Sequence, residues 1–126
     1  MLRSDDLLAL ADRLAAGTTE VEWRTAINRA YYAAAHEATA LALASGLLDG
    51  ERVDLHRVPR QLAGMRGPHG WAVIAGIMLS LKDRRERADY VVEAVDDLSL
   101  DARRSVELAA EAIRRMRSTP LPAPRG

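Results

Sequence analysis

The sequence predicts an all-α fold, an antiparallel up-and-down bundle of four main helices plus one short extra helix. Three observations carry this. Apolar residues recur at helical spacing along four long stretches, helix-start and helix-stop residues punctuate those stretches, and no stretch alternates apolar with polar residues as a half-buried strand would. With 126 residues the chain has room for one domain and not for two, and 48% apolar with 29% charged residues is the balance of a folded globule rather than a disordered chain.

The elements follow in order. Ser4-Asp5-Asp6 opens a first helix in which Leu7, Leu8, Leu10, Ala11, Leu14 and Ala15 keep helical spacing until Gly17 ends it. Thr19 with Glu22 three residues on is a capping box, and nothing interrupts the second helix before Ser45-Gly46. From Leu48 to Gly70 periodicity is lost and Gly50, Pro59, Gly64, Gly67 and Pro68 accumulate, so a loop is expected, with a short helix around Pro59 to Met65. Trp71 to about Val92 reads as a third long helix, with Gly76 a weak point where a neighbouring backbone comes close. Ser99 is the expected cap of a last helix whose apolar stripe is Ala102, Val106, Ala109, Ile113 and Met116. The domain is expected over residues 1–118, and Pro120, Pro122 and Pro124 predict a disordered tail over residues 119–126.

Composition removes several function classes. There is no cysteine, which excludes disulfides and thiolate metal sites. The longest uncharged run, Gly67 to Leu81, contains Pro68 and is shorter than the roughly 18 residues that span a bilayer, so no membrane segment is expected. Asp5 and Asp6 stand where a secretory signal would want basic residues, which makes the cytoplasm the expected location. Ala33 occupies the position of the glutamate in a Glu-x-x-His di-iron repeat, and Ala40 that of a second zinc-protease histidine, so no metal or cofactor is expected. No glycine-rich phosphate loop follows a strand, and no Gly-x-Ser-x-Gly nucleophile is present.

Eighteen basic and eighteen acidic residues cancel, so attraction to a polyanion must come from local patches. Between Glu51 and Arg87 eight bases face four acids, and from His56 to His69 the loop carries Arg57, Arg60 and Arg66 with no acid, the best candidates for touching an RNA backbone. On the second helix, Trp23, Ile27, Ala30, Tyr31, Ala34, Ala38 and Leu41 form the core face. Opposite it lie Arg29 and His36, two turns and about 10.5 Å apart along the axis. Ala26, Ala33, Ala40 and Leu43 surround them, with Tyr32 at the edge, a face too apolar for water alone. Either this helix is central in its own bundle or the face joins two copies, and a homodimer is the favoured expectation. In that dimer Arg29 and His36 of each copy converge; otherwise Arg29 pairs with Glu22 or Asp89 and His36 donates to a backbone carbonyl.

Three stretches, Asn28-Arg-Ala-Tyr-Tyr-Ala-Ala-Ala-His36, Arg85-Glu-Arg-Ala-Asp-Tyr90 and the alanine-rich last helix, together resemble the HEPN superfamily, particularly its small stand-alone bacterial and archaeal members. The resemblance runs from about Val21 to Arg117. It implies a HEPN-like bundle, usually dimeric, often encoded beside a nucleotidyltransferase-like antitoxin partner in toxin–antitoxin or defence modules. Many members are metal-independent endoribonucleases in which an arginine and a histidine with four to six residues between them face their copies across the dimer, and Arg29 and His36 have six between them. Carried over, Arg29 and His36 would be catalytic. Ala30 stands where active members usually carry a polar residue.

Metal-free RNA cleavage needs a group to take the 2′ proton, a group to protonate the leaving oxygen, and positive charge at phosphorus. His36 and Arg29 of two chains can supply these. Arg85 and Asp89 are four residues apart, an intrahelical ion pair. Alternatively Asp89 reaches Arg29 while Tyr90 packs beside Tyr31 or Tyr32, so that Tyr32, Arg85, Asp89 and Tyr90 support the site. The competing readings are a non-catalytic helical dimer that binds a nucleotidyltransferase-like partner or a nucleotide, and a bare helical adaptor.

Overall fold

A computed structural model describes residues 2–47, 54–64, 70–90 and 97–121. Five helices follow one another: α1 (Ser4–Ala15), α2 (Glu20–Ala44), α3 (Val58–Ala63), α4 (Gly70–Tyr90) and α5 (Leu98–Ser118). No strand occurs among the described residues. The architecture is the all-α bundle the patterning predicts.

The start of α2 shows how local chemistry sets an element. Thr19 Oγ1 accepts from the Glu22 backbone N–H while the Glu22 carboxylate accepts from the Thr19 N–H, so two otherwise orphaned donors are satisfied reciprocally. Gly17 makes room for this cap, since a Cβ there would lie 2.3 Å from a Glu22 carboxylate oxygen. At the other end Gly46, with φ of 75°, takes the left-handed conformation that stops the helix. The last helix departs from expectation: its cap position is Asp97, with φ of 58°, and Ser99 lies inside the first turn. Starting earlier brings Leu98 into the helix, where it is buried.

α2 is the centre of the bundle and touches all four other helices. Seven of its alanines are buried, and such small side chains let the surrounding helices approach closely. The main core joins these alanines to Tyr31, Leu62, Trp71, Ile74, Leu81, Ile113 and Met116. A second cluster collects Ala15, Ala26, Ile27, Ala88, Leu98 and Ala102 at the end where α2 begins and α4 finishes. There Arg24 donates to the Ala88 carbonyl (2.8 Å), which shows α2 and α4 running antiparallel.

Two polar ties complete the packing. Glu37, buried on α2, accepts from Ser4 Oγ of α1 (2.9 Å) and from Arg117 Nε of α5 (2.8 Å), and Arg117 also reaches Asp5 (2.9 Å). At the opposite chain end Trp71 Nε1 donates to the Pro120 carbonyl (3.0 Å), which holds the first residues of the proline-rich tail against α4. Residues 122–126 of that tail, and Val92 at the expected end of α4, lie outside the described residues. No helix among the described residues is long and apolar enough to cross a membrane.

Candidate functional site

The face of α2 opposite the core divides in two. Ala26 and Ala33 are fully buried by the chain's own helices; Ala33 shares the main cluster with Ala11 of α1, and Ala26 shares the second with Ala15. These residues therefore need no second copy to cover them. The sequence could not show that α1 folds back over them. What remains open is a narrow strip: Val21, Arg29, Ala40 and Leu43 are exposed, and Thr25, Tyr32, His36 and Thr39 are partly so.

Among the described residues Arg29 has no polar partner and His36 Nδ1 has none. Arg29 forms no ion pair with the described residues, since Glu22 is committed to its cap and Asp89 lies elsewhere. His36 Nδ1 is buried without a hydrogen-bond partner, so the backbone carbonyl expected for it is not there.

Tyr32 connects this strip to a second constellation at the junction of α2, α4 and the turn before α3. Its ring meets that of Tyr31 edge-on at 5.4 Å and that of His56 at 5.8 Å. The Arg85 guanidinium sits 5.0 Å from the Tyr31 ring centroid and 5.9 Å from that of Tyr32, a cation–π arrangement. Its helical spacing sets it 3.7 Å from Asp89, whose other partner is Asn28 Nδ2 (3.2 Å). Asp89 thus reaches the neighbour of Arg29 rather than Arg29 itself. Tyr90 is 73% exposed and makes no ring contact with Tyr31 or Tyr32.

His56 was not legible as a site residue. Its Nδ1 lies 2.6 Å from the Tyr31 hydroxyl, the two rings are within 7° of parallel, and its backbone N–H donates to Asp54 Oδ1 (3.0 Å). The only hint in the sequence is that a buried tyrosine hydroxyl needs a partner, which does not say which. Burial pushes the Tyr31 hydroxyl pKa up, and the nearby Arg85 charge opposes that shift.

The basic loop residues separate. Arg57 follows His56, is largely exposed and pairs with Asp54 at 3.4 Å. Arg60, one turn on, borders a cleft between α3 and α4. Arg66 lies outside the described residues. Gly76, expected to admit a neighbouring backbone, has no atom within 4 Å of where its Cβ would be and opens on that same cleft. Among the described residues no group of three or more His, Asp or Glu side chains gathers as a metal site. Comparisons with protein-family models, curated proteins and solved structures find no match to this chain.

Proposed function

We propose that this chain is a dimeric, RNA-acting helical protein of the kind its HEPN resemblance implies, a metal-independent endoribonuclease whose site forms where two α2 helices meet. The observation that supports it is the open strip, which carries an arginine without an ion pair and a histidine with an unpartnered Nδ1 among the described residues. Its register suits a twofold axis. Val21 and Leu43 are each eleven residues from Tyr32, while Arg29 lies three residues before it and His36 four after. Two antiparallel copies crossing at Tyr32 set Val21 of one against Leu43 of the other along about 33 Å, and bring each Arg29 beside the opposite His36.

In such a pair one His36 accepts the 2′-hydroxyl proton as the 2′ oxygen attacks phosphorus. The bond from phosphorus to the 5′ oxygen breaks, and the other His36, protonated, gives its proton to that oxygen. The two Arg29 guanidiniums hold the charge that develops on the phosphoryl oxygens. The products are a 2′,3′-cyclic phosphate and a 5′-hydroxyl. Exposed Arg57 follows His56, whose ring meets that of Tyr32, and supplies a contact to the RNA backbone.

The test is cleavage of end-labelled RNA in the presence of EDTA, alongside light scattering to give the mass in solution. Wild type is expected to be a dimer and to leave 2′,3′-cyclic phosphate ends. His36→Ala should lose about 100-fold or more in rate while keeping dimer and fold. A monomer, or a His36→Ala variant as active as wild type, overturns the proposal. A stable dimer that cuts no RNA selects the non-catalytic reading.

A further inference from the structure

A cleft of about 240 Å³ opens between α3 and α4, with Pro59 and Arg60 on one wall, Ala75, Gly76, Met78, Leu79 and Lys82 on the other, and Tyr31 of α2 also lining it. Its chemistry is divided. Pro59, Ala75, Met78 and Leu79 give an apolar surface, on which Leu79 remains 54% exposed. Arg60 and Lys82 bring two positive charges from two different elements, and among the described residues no carboxylate lines the cleft. Arg60 has no ion pair among the described residues, and Lys82 has only a loose one with Glu86 at 4.0 Å.

Gly76 is the independent observation. A glycine inside a helix costs about 1 kcal/mol relative to alanine, and is commonly repaid by close packing of a neighbour. Here, beyond its own helix backbone and chain neighbours, no atom of the described residues lies within 4 Å of its would-be Cβ, and its backbone is helical with nothing left-handed about it. What the missing side chain leaves is room in the cleft.

We infer that this cleft is a binding site for a small organic phosphate monoester, with the dianionic head between Arg60 and Lys82 and a flat apolar body lying over Gly76 against Met78 and Leu79. Two cations from separate elements match a doubly charged phosphate better than a carboxylate, and the apolar wall distinguishes an ester from inorganic phosphate. Through Tyr31 the cleft adjoins Tyr32 of the strip, but neither Arg29 nor His36 lines it, so the inference does not depend on the nuclease reading.

Phenyl phosphate is a suitable probe, with inorganic phosphate and benzoate as the comparison arms, each titrated by calorimetry into the full chain at neutral pH. Phenyl phosphate is expected to bind one per chain and about tenfold more tightly than either. Gly76→Leu fills the space with a better helix former, so circular dichroism should show the fold intact while affinity falls by about tenfold or more. Lys82→Gln should weaken phenyl phosphate by about tenfold, and His36→Ala should bind it as wild type does, which keeps this result apart from the RNA test. Phenyl phosphate binding no tighter than inorganic phosphate, or unchanged affinity in Gly76→Leu, overturns the inference.

Discussion

Arg117→Met tests how three helices are tied together. The guanidinium approaches Glu37 Oε1 with Nε at 2.8 Å and Nη2 at 2.6 Å, and Nη2 also reaches Asp5 at 2.9 Å. Methionine keeps the aliphatic stem and removes every donor, which leaves the buried Glu37 carboxylate with Ser4 Oγ as its remaining partner. Hydrogen bonds to a charged group contribute about 1.5–3 kcal/mol each. Arg117 is itself nearly half exposed, so water competes for it and the contact with exposed Asp5 counts for little. The loss left after that discount is about 2 kcal/mol, which for a chain of this length lowers Tm by about 8 °C. Arg117→Lys keeps the charge without the fork and should fall between the two. The assay is thermal unfolding by circular dichroism at neutral pH. A shift of less than about 2 °C in Arg117→Met would show that the network contributes no more than an ordinary surface pair.

Two further predictions concern stability. Ser105 is fully buried on α5 with no partner for its hydroxyl among the described residues, so Ser105→Ala should raise stability by about 1 kcal/mol, and an unchanged or lower melting temperature would contradict this. Hydrogen bonds from the Thr19 hydroxyl and the Thr18 and Thr19 backbone hold the Glu22 carboxyl below its ordinary value of 4.5. Because the folded value is the lower one, this contribution is present above the unfolded pKa and is lost as pH falls through the folded one. Wild type should therefore weaken at the start of α2 on acidification, while Glu22→Gln should be less stable at neutral pH and show a shallower acid dependence; identical pH profiles of Tm would refute the role given to the cap.

What the sequence made legible was local. The Thr19 to Glu22 cap, the stop at Gly46 and the stripe along α5 are each written within a few neighbouring residues, and each appears in the structure. Ser99 misled because the nearest capping residue is a local rule, whereas the helix start is decided by burying Leu98. Ala26 and Ala33 were recognised as buried, but what buries them depends on how α1 docks, which periodicity on α2 does not contain. His56 lies 25 residues from Tyr31, and its place beside two tyrosines and Arg85 exists only after α4 and the turn before α3 have closed on α2. The pairing of Arg85 with Asp89 was readable from spacing alone, but that Asn28 rather than Arg29 is the cross-helix partner of Asp89 depends on how α4 docks against α2, which the spacing within neither helix contains.

The two indoles sit at opposite ends of the molecule, and each is moored to a main-chain oxygen outside its own helix. Trp23 donates to the Gly17 carbonyl in the first turn, and Trp71 to Pro120 at the start of the tail. Each mooring gives an optical signal of its own, so that replacing one tryptophan by phenylalanine leaves the other as a spectroscopic reporter. Fraying of the amino-terminal hairpin and detachment of the carboxyl-terminal segment can then be followed separately, without any added label.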